Sequence, residues 1–242
     1  MTTKTATKNG KKNRISDEPQ VTRFTFQMNE ELEAILYATI VGTAPLLYNR
    51  FGGRAIQIIV DSQTGKNPRK GKKAPKDIMK CLVETPHVFG KQPETQAQLN
   101  KAKYAIPAVA IKASMVRSSQ NYGEKLVNSR TRFQVHHDGK AENGDCMIAL
   151  TEHSPWRMDE RPVRVQTTMD IRHRVVLDEW KANVRLFFDP EVTKPQELLQ
   201  WLKGAGRYVG ILEGRSGGRN STGTFGAFKV IEAHADIPQR AD

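Results

Sequence analysis

From Arg161 to Phe188 polar and apolar residues trade places almost one for one. Val163, Val165, Thr167, Met169, Ile171 and Val175 share one parity, and Arg164, Gln166, Thr168, Asp170, Arg172 and Arg174 share the other. After LDE, which reads as a turn, Trp180, Ala182, Val184, Leu186 and Phe188 alternate with Lys181, Asn183, Arg185 and Phe187. A period of two is the mark of a strand with one face on a core. The stretch therefore predicts a hairpin of two long strands. Its apolar set points inward, and its open face carries Arg164, Arg172, Arg174, Lys181 and Arg185.

The segment after the hairpin is equally legible. In DPEVTKPQELLQWLKGAG, Pro195 suits a first helical turn, Gly204 and Gly206 end the helix, and Leu198, Leu199, Trp201 and Leu202 form its buried stripe. TFGAFKVIE then reads as a last strand. Upstream, VTRFTFQM (Val21 to Met28) alternates like a strand, and NEELEAILYATI reads as a helix capped by Asn29. IPAVAIKASMVRSS reads as a further helix, with Val109, Ala113 and Val116 near one face and Lys112 and Arg117 off it. RTRFQVHH and DCMIAL read as short strands joined by DGKAENG. Strand, helix, strand pair, helix and strand predict an α+β fold. The expected form is a ferredoxin-like or RRM-like antiparallel sheet with helices on one face, elaborated by insertions.

Two stretches stand apart in composition. Residues 1–20 are polar, basic and nearly free of large apolar groups, so they predict a disordered arm. Between Asp61 and Lys80 seven basic residues, Lys70, Lys72 and Lys73 among them, stand against two acids, with Gly and Pro breaking any helix. That stretch reads as a loop or finger inserted into a single domain spanning 21–232, and 233–242 as a tail. The whole chain carries 38 Lys and Arg against 26 Asp and Glu, a net charge of +12 that favours a polyanionic partner. No apolar run of membrane-spanning length and no apolar leader is present, so a membrane partner is not expected and a cytoplasmic location is. Cys81 and Cys146 lack paired spacing and read as reduced thiols.

Between the last helix and the last strand lies GRYVGILEGRSGGRNSTGTFG, rich in glycine and studded with Arg207, Arg215 and Arg219. A hairpin needs far fewer residues. Glycines let backbone amides approach a phosphate closely, and arginines neutralise it, so the loop reads as a phosphate-contacting element. EGRSGGRNS lacks the Lys-Ser/Thr ending of a nucleotide-hydrolase loop. His87, His136, His137, His153, His173 and His234 have no metal-ligand spacing and no identifiable catalytic partner. The expectation is a protein with no catalytic residue, no metal and no cofactor.

The basic strand pair, the PQELL helix and VGILEGRSGGRNSTGTFGAFKV together resemble a family of uncharacterised phage proteins. TAPLLYNRF and YAIPAVAIKASMV resemble further stretches of that family, and the similarity runs from Phe24 to Val230. More remotely, the pattern resembles the RAMP superfamily, which includes the backbone subunits of CRISPR effector complexes. That resemblance implies an RRM-like core and a glycine-rich loop near the C-terminus, matched by Gly206, Gly210, Gly214, Gly217, Gly218, Gly223 and Gly226. It also implies a finger reaching a neighbouring subunit, in the position of residues 61–80, and polymerisation along a single strand.

The expected function is therefore sequence-tolerant binding of single-stranded nucleic acid, RNA or DNA, by a phage-encoded homo-oligomer. The binding residues would be Arg164, Arg172, Arg174, Lys181, Arg185, Arg207, Arg215, Arg219, Lys70, Lys72, Lys73, Lys112 and Arg117. The alternatives are a RAMP-like metal-independent endoribonuclease and a basic structural or interaction protein.

Overall fold

The computed structural model describes residues 33–50, 52–65, 77–165, 168–217 and 223–238. The basic arm, the strand predicted at Val21–Met28, Lys70, Lys72, Lys73 and Arg219 lie outside them.

The described chain begins with β1 (Ala34–Gly42) and β2 (Leu46–Leu47), then α1 (Gly53–Gln63) and α2 (Ile78–Glu84) on either side of the lysine-rich stretch. A short α3 (Gln96–Asn100) and β3 (Ala105–Pro107) lead into α4 (Ala108–Ser119) and α5 (Leu126–Thr131). Strands β4 (Phe133–Val135), β5 (Gly139–Lys140), β6 (Cys146–His153), β7 (Trp156–Val165), β8 (Thr168–Leu177) and β9 (Trp180–Phe188) come next. Helix α6 (Pro195–Gly204) and β10 (Phe228–Asp236) close it.

Four strands and two helices make the scaffold: β1, α4, β6, β9, α6, β10. In space the strands run β10-β1-β9-β6, each antiparallel to its neighbour. This is the strand order of a ferredoxin-like βαββαβ sheet, and the α+β class expected from the sequence is the class observed. Beyond it, β3 extends the β6 edge and β4 pairs with β9.

Alternation explains the central strands. In β1, Ala34, Leu36, Ala38 and Ile40 are buried, while Ile35, Tyr37, Thr39 and Val41 face the other side. In β9 the buried set is Trp180, Ala182, Val184, Leu186 and Phe188, as its parity predicts. One cluster joins these to Ile111 and Met115 of α4 and to Leu198, Trp201 and Leu202 of α6. The helices thus cover one face of the sheet and leave the other open.

Four sequence expectations are corrected. Ala34–Gly42 is a strand, not the helix predicted over NEELEAILYATI. Its β-formers Tyr37, Thr39 and Val41 sit on the half-covered face, where such side chains pack well. Helix α4 buries Ala108, Ile111, Met115 and Val116, while Val109 is 71% exposed. Of the predicted stripe, Val116 is buried as expected, whereas Val109 and Ala113 are exposed. DGKAENG, expected as a turn between two short strands, itself contains β5, which pairs with β6, while β4 joins β9.

The fourth concerns residues 161–175, which are not one strand. Strands β7 and β8 pair with each other from Trp156↔Leu177 to Val165↔Thr168, forming an arm whose sheet, among the described residues, continues only to β2. β8 does not pair with β9, so the predicted hairpin does not exist. In this register Arg164 pairs with Met169, whereas Arg174 pairs with Asp159, which puts Arg164 and Arg174 at positions on opposite faces of the arm. The expected apolar face is split, leaving Met169 68% exposed and Arg174 4% exposed.

Candidate nucleic-acid interface

The glycine-rich loop owes its shape to contacts within itself. Its two limbs lie backbone to backbone: Ile211 N donates to Gly226 O at 3.0 Å, and Phe225 N to Gly214 O at 3.1 Å. Gly226 has φ +65°, and a Cβ there would collide with Ile211 O. A Cβ at Gly223 would collide in the same way with Gly214 O. The N–H groups of Gly210, Gly217 and Gly226 already donate to Ala205, Val209 and Pro45 carbonyls. Gly223 and Gly226 are needed for close approach of the limbs, and the amides of Gly210, Gly217 and Gly226 are engaged. Gly210, Gly217 and Gly226 therefore do not present N–H groups to a phosphate as expected; the arginines remain.

Arg215 is held by its own loop, donating from Nη1 to Leu212 O at 2.6 Å. Ser114, buried in α4, donates to Gly210 O at 2.8 Å and ties the loop to the helix. Between them runs an open groove of about 610 Å³, lined by Val109, Ala113 and Arg117 of α4 and by Leu212, Arg215 and Gly217 of the loop. Arg117 is exposed on the outer side of α4. Asp145 and His87 also line this groove. Burial, and then the Arg50 charge, lower the His87 pKa from 6.5 to about 4, so its imidazole is neutral at pH 7.

Arg207 belongs to a different pocket. Ala205–Val209 form a π-turn directly after α6, with Ala205, Gly206 and Val209 buried and Arg207 and Tyr208 turned outward. Arg207, Lys203 and Lys229 line a second cavity of about 510 Å³ with Tyr208. The two pockets flank one segment, since Tyr208 lines one and Val209 the other. Lys203 and Lys229 are not among the cations expected from the sequence, although Lys203 stands one helical turn before Arg207.

The remaining predicted cations among the described residues do not join this surface. Lys181 and Arg185 lie on the open sheet face, where Lys181 pairs with Glu152 at 2.8 Å and Arg185 with Asp138 at 2.6 Å. Lys112 points away from the groove, with Nζ donating to Gln134 Oε1 at 2.8 Å and lying over the Phe133 ring. Its burial lowers its pKa. Arg172 stands opposite Arg161 on the arm. Arg164 is described in its backbone alone. Arg174 is buried against Asp159 at 3.1 Å and Glu213 at 3.5 Å. The single cationic face of five residues expected from parity is therefore not formed. Its members divide between an arm and a separate sheet because β8 pairs with β7 and not with β9.

Phe228 is buried beside Trp180, and Phe225 lies under the Arg161 guanidinium at 4.7 Å. Among the described residues no group of His, Cys, Asp or Glu is placed to hold a metal ion. Nor is any helix among them long and apolar enough to cross a membrane.

No family model and no curated protein matches this chain. Among solved structures it is similar to a chain in a cryo-EM structure of the type III-B Cmr-beta complex bound to cognate target RNA. The TM-score is 0.45 at 9% identity, over 85% of this chain and 61% of that one. The chain thus spans less than two thirds of the length of that neighbour. At this TM-score the likeness carries no weight for function.

Proposed function

We propose that this protein binds single-stranded nucleic acid, with little sequence preference, in the groove between α4 and the glycine-rich loop. The observation that carries the reading is the convergence of Arg117 and Arg215. They come from elements far apart in sequence and line one groove, on a loop locked by its own backbone bonds. Two guanidiniums along an open channel suit phosphates of a flexible strand. The apolar walls of Val109, Ala113 and Leu212 suit the faces of unpaired bases. A net charge of +12 adds long-range attraction that does not depend on sequence.

Binding here needs no turnover. Assembly of several copies along one strand belongs to the same reading, and the exposed Met158 and Met169 of the arm give such copies an apolar surface to share.

The test is fluorescence anisotropy of labelled RNA and DNA strands across a salt series. Affinity should fall steeply as salt rises, with similar values for unrelated sequences. Arg117→Gln combined with Arg215→Gln should weaken binding and flatten the salt slope. Unchanged affinity and slope in that variant would remove the groove from the mechanism. A labelled RNA incubated with the protein in EDTA should stay intact; cleavage would establish a nuclease instead.

A further inference from the structure

The second pocket is chemically distinct from the groove. Among the described residues its lining contains three cations, Lys203, Arg207 and Lys229, and no carboxylate. Gln196 and Gln200, one turn apart on α6, add two amides, and Tyr208 adds a ring that is 50% exposed. Each chemical part of a nucleotide has a counterpart here. Ammonium and guanidinium groups match a phosphate, an aromatic face matches a base, and amides match the donor and acceptor edge of that base.

The platform is rigid where it must be. Gly206 presses on β10 so closely that a Cβ would collide with Phe228 O. That contact holds the π-turn on the strand bearing Lys229 and fixes Arg207 and Tyr208 beside it. A Cβ at Gly204 would lie 2.7 Å from the Tyr122 hydroxyl, so the pocket floor is close-packed too. The Arg207 guanidinium lies 5.9 Å from the Tyr208 ring, a loose contact that leaves room for a base to stack.

We propose that this pocket binds one nucleoside monophosphate unit, the phosphate among Lys203, Arg207 and Lys229 and the base against Tyr208. A free mononucleotide and the phosphorylated end of a strand present the same chemistry. The site goes beyond strand binding in the groove and does not depend on it.

Calorimetric titration of the full chain with adenosine 5′-monophosphate tests this, with adenosine and inorganic phosphate titrated separately. The monophosphate should bind roughly tenfold or more tightly than either fragment, because ring and phosphate are held together. Tyr208→Leu should weaken it by roughly tenfold, the usual size of a base–aromatic stack. Lys203→Gln with Lys229→Gln should weaken it at least as much, while Arg117→Gln in the groove should leave it unchanged. Circular dichroism confirms that each variant is folded. Short strands with and without a 5′-phosphate separate the sources: a preference for the phosphorylated end assigns the site to strand termini, and equal binding assigns it to free nucleotides. Inorganic phosphate binding as tightly as the monophosphate, or a folded Tyr208→Leu protein with full affinity, would overturn the proposal. So would an acidic peptide binding where the monophosphate does not. Loss of strand binding in Arg117→Gln with monophosphate binding intact reports on the groove alone.

Discussion

Arg174 stands directly opposite Asp159 across the β7–β8 ladder, and their side chains meet at 3.1 Å with each residue only 4% exposed. Arg161 reaches the other oxygen of Asp159 at 2.7 Å and covers the Phe225 ring, and Arg174 also meets Glu213. The network therefore fastens the arm to the glycine-rich loop. It gives Arg174 a structural task in place of the phosphate contact its sequence position suggested.

Removing one partner of a buried pair leaves the other charged and desolvated. Arg174→Ala should cost about 3 kcal/mol in urea unfolding, while Arg174→Met, which fills the same space, should cost less when combined with Asp159→Leu. Intact strand binding in the folded fraction of Arg174→Ala is expected. A large affinity loss with unchanged stability would contradict the structural assignment.

Gly226→Ala tests the loop. The residue adopts a left-handed φ of +65°, and its Cβ would meet Ile211 O. Strain of about 1–3 kcal/mol is expected, read as a lower urea midpoint, together with weaker strand binding as Arg215 loses its seat. Gly65, also left-handed at φ +75° but with nothing near a Cβ, is the control and should lose stability alone.

Strand β9 and helix α6 are legible in the sequence because each carries its own punctuation: a strict alternation for the strand, and Pro195 and Gly204 at the two ends of the helix. β1 is not. Asn29 followed by Glu30, Glu31 and Glu33 imitates a helix start, and that local signal outweighs the alternation of Leu36, Ala38 and Ile40 with Tyr37, Thr39 and Val41. The end of β7 is equally hidden, since Gln166 and Thr167 include none of the usual turn residues and the parity runs through them undisturbed. Without a turn signal there, an arm and a sheet strand read as one hairpin, and five cations as one face. Arg117 and Arg215 both stand out in the sequence, but their meeting depends on a helix–loop contact that no local pattern encodes. Gly223 and Gly226 suggest a ligand when read in sequence, whereas backbone approach within the loop explains them.

His87 predicts an acid-side loss of stability. Its folded pKa of about 4 lies below the ordinary 6.5, because burial and Arg50 oppose the imidazolium while Asp145 only partly offsets them. The unfolded chain therefore takes up a proton that the folded one refuses. Stability from this group is complete above pH 6.5 and is lost as pH falls toward 4, by about 3 kcal/mol in all at roughly 1.4 kcal/mol per pH unit. His136, whose pKa burial and then Arg185 also lower, adds to the loss in the same direction. Urea midpoints measured from pH 7 to pH 4 should fall less in His87→Gln than in the parent chain. Parallel curves would show that His87 is not the group responsible.

Charge alone does not mark a binding residue, and Lys181 and Arg185 make the contrast with Arg117 measurable. Each of the first two already has a carboxylate partner within 2.8 Å, so a phosphate would have to displace Glu152 or Asp138. Their contribution to counterion release should be small, because an ammonium or guanidinium neutralised within the protein gains little from a second anion. Arg117 is exposed and lines the groove with Val109, Ala113 and Leu212; Asp145 lines it too but forms no ion pair with Arg117, which leaves that charge for an incoming anion. Lys181→Gln and Arg185→Gln should each leave strand affinity within about twofold and the salt slope unaltered. Arg117→Gln should lower affinity several-fold and reduce the slope by about 0.7, the value for one phosphate contact on a single strand. The opposite ranking, with the sheet-face variants losing affinity and Arg117→Gln silent, would move the strand from the groove to the open face of the sheet.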